Sequence, residues 1–263
     1  MIDIGANLTH DSFDADRATV LDRAWAAGLS AIIITGSSAD SSRRALELAR
    51  ADPGRLFSTA GLHPHHASEW NAEHAALFRD FAGRPGLVAL GECGLDYFRD
   101  LSPRDDQRRA FEAQLRLAVE MKKPVFLHQR DAHADFLPIL REFRPQLVDA
   151  VVHCFTDTQS AMEDYVALDC YIGITGWVCD ERRGRGLLEI SRHIPDNRLL
   201  VETDAPYLLP RTAPKVNHRR NEPAYLPWVV KSLAAARGQD EAHVAAVTAA
   251  NATRFFRLPR ENE

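Results

Sequence analysis

LVALGE (87–92), PVFLH (124–128), DAVVH (149–153) and LLVETD (199–204) are four short apolar runs, and each ends in a side chain able to hold a metal ion: Glu92, His128, His153 and Asp204. A strand buried on both faces of a parallel sheet reads as such a run. In α/β barrels the residue at a strand's C-terminal end faces the active-site mouth, so four such ends converging on one point make a metal site. The spacing agrees. His128 and His153 are 25 residues apart, one strand plus a crossover helix, and His153 and Asp204 are 51 apart, two such units. A single histidine at a strand end is more often hydrogen-bonded scaffold than ligand; four residues in this rhythm reverse that reading.

Working outward, apolar runs at 2–5, 31–36, 55–60, 87–92, 124–128, 148–153, 170–175 and 198–203 read as eight strands. Helical patterns lie between them at 14–28, 39–51, 70–83, 103–122, 131–143, 158–168 and 185–193. Ser102 followed by Pro103 reads as the N-cap and first position of the fourth helix. The Pro-rich and basic stretch 207–222 reads as a long loop, and helices at 223–237 and 240–250 follow it. Strict alternation repeated eight times predicts a (β/α)8 TIM barrel, with residues 1–263 as a single domain; a doubly wound open sheet shares the pattern and stays open here.

Composition fits one globular unit: 263 residues, 45% hydrophobic and 26% charged, with no apolar run near the roughly 18 residues of a membrane helix. The opening MIDIGANLTHDSF carries aspartates where a secretory signal would be basic and then apolar, so a cytoplasmic place is expected. Cys93, Cys154, Cys170 and Cys179 show no CxxC pairing and are expected to stay reduced. A net charge of −5 argues against an extended basic surface of the kind that grips duplex DNA. Any nucleic acid is then held locally, and two basic clusters, Arg182, Arg183 and Arg185 and then Arg211, Lys215, Arg219 and Arg220, are either solvated surface or phosphate contacts.

His63, His65 and His66 in GLHPHH follow the third strand, Glu92 ends the fourth, His128 the fifth and His153 the sixth, and Asp204 follows the eighth, all on the rim where barrel enzymes work. A Glu with two His is the ligand set of a hydrolytic zinc site with one position open for water. The same trio holds Mn²⁺ or Mg²⁺ when oxygen ligands complete the shell.

The motifs MIDIGANLT, STAGLHPHHASEW, GECGLD, PVFLHQRDAH, VHCFT, YIGITGWVCDERRG, ETDAPYLLP and RRNEPAYLP, in this order along essentially the whole chain, resemble those of the TatD-type metal-dependent deoxyribonucleases, within the amidohydrolase-like superfamily. The resemblance implies a barrel hydrolase that cleaves single-stranded DNA, or RNA, from the 3′ end and serves DNA repair or degradation, with Mg²⁺ as the expected ion and Mn²⁺ or Zn²⁺ as alternatives. It implies Glu92 as a bridging carboxylate, His128 and His153 as ligands of one metal, and Asp204 as the aspartate that binds or orients the attacking water. His63 and Arg130 are expected near the substrate phosphate. Most of the wider family begins with His-x-His at the end of the first strand, where this chain has Gly5 and Asn7. The oxygen-rich remainder of Glu92, Asp204 and Asn7 suits hard Mg²⁺, so one firm site is expected, with a second that fills weakly or only with substrate.

Glu202 shares a strand face with Asp204 and is either a partner behind a ligand or a barrel-end hydrogen bonder. Tyr97, Phe98, Phe155, Trp177 and Tyr207 fall on the rim side, where single-strand nucleases present stacking faces. His10, His74, His133, His193, His218 and His243 read as bland, and a monomer is expected. Two rivals stand: an amidohydrolase-like hydrolase of a small amide or lactone, which the fold alone does not separate from a nuclease, and a binding protein that has lost its metal. The joint presence of Glu92, His128, His153 and Asp204 counts against the second.

Overall fold

Eight strands, β1 (Ile2–Ala6), β2 (Ala31–Ile34), β3 (Leu56–Ala60), β4 (Leu87–Asp96), β5 (Val125–Arg130), β6 (Ala150–Val152), β7 (Tyr171–Ile174) and β8 (Leu199–Val201), form one sheet in chain order, each parallel to the next. The structure, a computed structural model, describes residues 1–214 and 219–259. Lys215 and His218 therefore lie outside the described residues. Just past β8 the chain returns to β1: Asp204 N donates to Gly5 O at 2.8 Å, Asn7 N donates to Ala205 O at 2.7 Å, and Ala6 and Ala205 make a parallel bridge. The sheet is thus a (β/α)8 TIM barrel, and the open-sheet alternative is excluded. No helix among the described residues is long and apolar enough to cross a membrane.

The helices are α1 (Arg17–Ala26), α2 (Ala39–Ala51), α3 (Ala72–Ala82), α4 (Arg104–Met121), α5 (His133–Phe143), α6 (Gln159–Ala167), α7 (Arg185–Ser191), α8 (Leu226–Arg237) and α9 (Glu241–Phe256). Two apolar layers hold the barrel. Ile32, Ile34, Leu90, Val125, Leu127, Val152, Ile172 and Leu199 pack outward against the helices. Ile4, Ile33, Phe57, Ala89, Phe126, Val151, Tyr171 and Leu200 fill the lumen, which Phe255, Phe256 and Leu258 from the end of α9 close below.

Strand alternation then sets what comes next on the inside. Two residues after Phe126 stands His128, two after Val151 stands His153, and two after Leu200 stands Glu202. Chemistry begins one layer above the apolar plug.

Three local expectations differ. α1 starts at Arg17 rather than 14, because His10 Nδ1 accepts from Ser12 N and starts a separate 3₁₀ turn at Asp11–Phe13. Ser102 does not cap α4; its hydroxyl donates to His65 O at 2.9 Å, and Pro103 precedes the first helical residue. β4 continues four residues past Glu92, since Gly94, Leu95 and Asp96 keep pairing with His128, Gln129 and Arg130.

Candidate metal centre

Glu92 reaches the lumen through a local departure from regular strand geometry. The register shifts between Leu90 and Cys93, and the Gly91–Glu92 peptide is cis. Gly91 and Gly94 have φ of +125° and +148°, and a Cβ on either would lie 2.0 Å from Phe126 O or 1.8 Å from His128 O. Only glycine lets β4 approach β5 this closely. Glu92 N is anchored to Gly36 O at 2.8 Å, which fixes the carboxylate that follows.

Three imidazoles surround one oxygen of that carboxylate. His153 Nε2 lies 2.8 Å, His128 Nδ1 3.1 Å and His63 Nε2 3.4 Å from Glu92 Oε1. The donor atoms of His63, Glu92 and His128 lie within 4.8 Å of one another. The structure thus draws His63 into the cluster, alongside the two histidines that the sequence reading had set apart from it.

The electrostatics follow from burial and crowding. Burial alone would raise the Glu92 carboxyl, but the charges of His63 and His153 and the hydrogen bonds from His128 and His153 outweigh it and hold Glu92 well below the usual carboxylate range. His63 is pushed well below the ordinary imidazole value, first by burial and then by its histidine neighbours, against the pull of Glu92. His153 goes the other way: burial opposes its charge, yet Glu202 and Glu92 on its two sides raise it well above the ordinary value.

Glu202 is fully buried and occupies room left by two glycines. A Cβ on Gly5 would sit 2.4 Å from its Oε2, and one on Gly173 2.9 Å from its Oε1. Its Oε1 accepts from Cys154 N at 2.6 Å and its Oε2 faces His153 Nδ1 at 3.3 Å. Of the two roles open to it from sequence, this geometry selects the partner behind His153. Any side chain at position 5 would thus have to displace the Glu202 carboxylate.

Asp204, at φ +54°, accepts from Asn7 Nδ2 through Oδ1 at 2.9 Å. Burial pushes its carboxyl up to about 7; the charge of His153 opposes the rise, while Glu92 and Glu202 add to it. Arg130 lies one inward step beyond His128, with its guanidinium 4.2 Å above the ring of Phe98. Phe98 and Tyr207 are both more than half exposed, and Tyr207 meets His10 edge to face at 5.8 Å, so His10 is a rim residue rather than a bland one.

The other rim aromatics separate. Phe155 is core, packed against Tyr165 at 6.3 Å, because its backbone N bonds to Gly173 O and turns the ring outward. Tyr97 donates its hydroxyl to Asp135 and is covered by Arg104 at 4.1 Å. Trp177 lines a cleft with Arg182, Arg183, Arg211 and Arg219. Arg220 is not a phosphate contact: it pairs with Asp16 at 2.7 Å and Glu222 at 2.8 Å, and Glu222 also binds Arg23, so this cluster member ties the β8–α8 loop to α1. The cysteines are all unpaired.

Sequence reasoning passed over Asp96, and it put His65 on the rim without giving it a partner. Asp96 Oδ2 faces His65 Nε2 at 2.9 Å and His128 Nε2 at 3.3 Å, and Oδ1 accepts from Arg99 N at 2.8 Å. Burial opposes ionisation, but the bonds from His128, His65 and Arg99 hold this carboxyl far below its ordinary value. The signal was present in GECGLD, where Glu92, Gly94 and Asp96 share one face at period two, but the strand was expected to stop at Glu92.

Residues 2–257 match the profile of a family described as TatD related DNase. A protein of Erwinia tasmaniensis named 3′-5′ ssDNA/RNA exonuclease TatD is 52% identical over 259 residues, covering 98% of this chain and 100% of its own length. A crystal structure of a TatD homologue (YJJV) from Escherichia coli superimposes with a TM-score of 0.90 at 28% identity, covering 98% of each chain. The hydrolase TatD family protein of Entamoeba histolytica superimposes with a TM-score of 0.88 at 26% identity, again over 98% of each.

Proposed function

This chain belongs to the TatD-related DNase family, and we propose from that premise that it is a metal-dependent nuclease that removes nucleotides from the 3′ end of single-stranded DNA or RNA. The observation that carries the reading is the convergence of His63, His128 and His153 on one oxygen of Glu92. Three imidazole nitrogens around one carboxylate oxygen are a donor set that fits a divalent ion. Glu92, His128 and His153 would hold it, with Asp204 completing the shell and His63 within the same donor group. Mg²⁺ is the ion we assign, and Mn²⁺ or Zn²⁺ fits the same donors. When bound, the ion supplies positive charge that polarises a phosphodiester and acidifies nearby water.

The chain's own residues do the rest. Asp204, held by Asn7 Nδ2 at 2.9 Å, would orient the attacking water and accept its proton. Glu202 accepts at His153 Nδ1 and so directs the other ring nitrogen at Glu92. Arg130 offers its guanidinium to the phosphoryl oxygens as their charge grows, and Phe98 beneath it gives a base a face to stack on. We propose a cytoplasmic monomer; the four unpaired cysteines are in keeping with a reducing compartment.

Single-stranded oligonucleotides labelled at the 3′ or the 5′ end, incubated with wild type and Glu92→Ala in the presence of Mg²⁺, Mn²⁺, Zn²⁺ or EDTA, test the proposal. Stepwise loss from the 3′ end that needs both metal and Glu92 is expected. Folded protein that binds metal and cleaves nothing would point instead to an amidohydrolase-like reaction. Calorimetric titration should find one tight site, with a second that fills only when oligonucleotide is present; two equally tight sites without it would refute the role given to Gly5 and Asn7.

A further inference from the structure

Outside the metal centre, a strongly charged cleft of about 460 Å³ lies between the loops that follow β7 and β8. Its walls carry Trp177, Arg182, Arg183, Arg211 and Arg219 around a single acid, Asp180. In a chain of net charge −5, three uncompensated positive charges gathered at one cleft are a local departure that calls for a cause.

The cleft is built. Asp180 is buried and accepts from Arg182 N at 2.9 Å and Arg183 N at 3.2 Å, which folds the segment back on itself. A Cβ on Gly184 would meet Trp177 O at 1.9 Å, so the turn closes only on glycine, and one on Gly176 would meet Leu208 O at 2.2 Å, so the two loops approach this closely only on glycine. The Arg183 guanidinium lies 4.9 Å from the Trp177 ring. Asp180 is thereby spent on the turn, while the side chains of Arg182, Arg183 and Arg211 stay 63%, 67% and 45% exposed. Leu208, on one wall of the cleft, is four residues beyond Asp204, so at most about 14 Å of backbone separates the two.

We propose that this cleft is a second binding site for the substrate strand, holding backbone phosphates on its arginines and one base on Trp177, several nucleotides upstream of the 3′ end being cleaved. The inference rests on the nuclease reading and deepens it. Guanidiniums beside an indole suit a polyanion with π-faces at intervals, which is a single strand; a duplex hides those faces. A free phosphate or mononucleotide shares the anionic chemistry, and chain length separates the sources.

The test compares wild type, Arg183→Ala/Arg211→Ala and Trp177→Phe, each checked for an unchanged melting temperature, on a dinucleotide and on an oligonucleotide of about 12 residues. For the longer substrate, KM should rise about fivefold to tenfold in the double arginine variant, and the slope of log KM against log salt should fall by about 1.4, the loss of two phosphate contacts on a single strand. For the dinucleotide, KM should not move. Separately, metal-free protein titrated with a 3′-blocked oligonucleotide should show quenching of Trp177 fluorescence that Trp177→Phe lacks, a readout independent of cleavage. Unchanged KM and salt slope for the long substrate would overturn the proposal. So would quenching by inorganic phosphate or a mononucleotide at the same concentration as by the oligonucleotide. Failure of the wild type to cleave either substrate would refute the nuclease reading instead.

Discussion

Replacing Glu202 by glutamine changes no volume and one proton pattern, and it should weaken metal binding without unfolding the barrel. In the native site both Glu202 oxygens accept, from Cys154 N at 2.6 Å and from His153 Nδ1 at 3.3 Å. A carboxylate at Nδ1 requires that nitrogen to donate, which leaves Nε2, 2.8 Å from Glu92 Oε1, to offer a lone pair once a cation displaces its proton. An amide cannot satisfy both neighbours as the acid does. If its oxygen keeps Cys154 N, its NH₂ meets Nδ1 and moves the proton to Nε2, the wrong tautomer. If it turns over, two donors face each other at Cys154, costing about 1–3 kcal/mol. Loss of such a partner behind a ligand weakens metal binding about 10–100-fold, or about 1.4–2.7 kcal/mol. Calorimetric titration of chelator-treated Glu202→Gln with Mn²⁺ reads this directly, with the melting temperature of the metal-free protein as the control for folding. Affinity within twofold of wild type, in a protein that melts normally, would refute the tautomer argument and return Glu202 to the role of scaffold.

Gly94→Ala should destabilise the protein by about 3 kcal/mol or more and lower its melting temperature by about 6–12 °C, since the new Cβ falls 1.8 Å from His128 O at a φ of +148°; a melting temperature within 2 °C or so of wild type would show that β4 does not need this approach. Asp3 is fully buried, and burial pushes its carboxyl up to about 7 against the bonds it accepts from Thr203 and Gly5. Because the folded value lies above the unfolded 3.8, its stabilising share is complete below pH 3.8 and fades as pH rises to about 7, by about 4 kcal/mol at most. Asp3→Asn mimics the protonated acid and should flatten denaturant stability over that window; an unchanged slope would mean Asp3 titrates normally. Phe98→Ala removes the exposed ring over which Arg130 lies and should raise KM for oligonucleotides about 10-fold with kcat held, and a fall in kcat alone would contradict a stacking role.

Which parts of this arrangement could be read from the sequence follows from how far each signal reaches along the chain. The barrel was legible because a buried parallel strand leaves an unbroken apolar run, and the histidine-bearing ends were legible because alternation carries the lumen face upward from Phe126 to His128 and from Val151 to His153. Asp96 was lost because a strand is expected to end where polar residues begin. β4 instead continues past Glu92, since Gly94 admits the His128 carbonyl, and that permission is visible only when the facing strand is in place. The role of Arg220 was lost for a related reason: its partners Asp16 and Glu222 come together only when the β8–α8 loop folds over α1, so a basic run looked uniform although one of its members holds the loop down. Gly5 shows the same limit in reverse. From the sequence it is a missing histidine; in the barrel it is the space that a buried carboxylate from β8 needs to reach the back of His153. A side chain at position 5 and the Glu202 carboxylate in its present place therefore exclude one another. Restoring a histidine at position 5 alone should for that reason displace Glu202 rather than add a ligand.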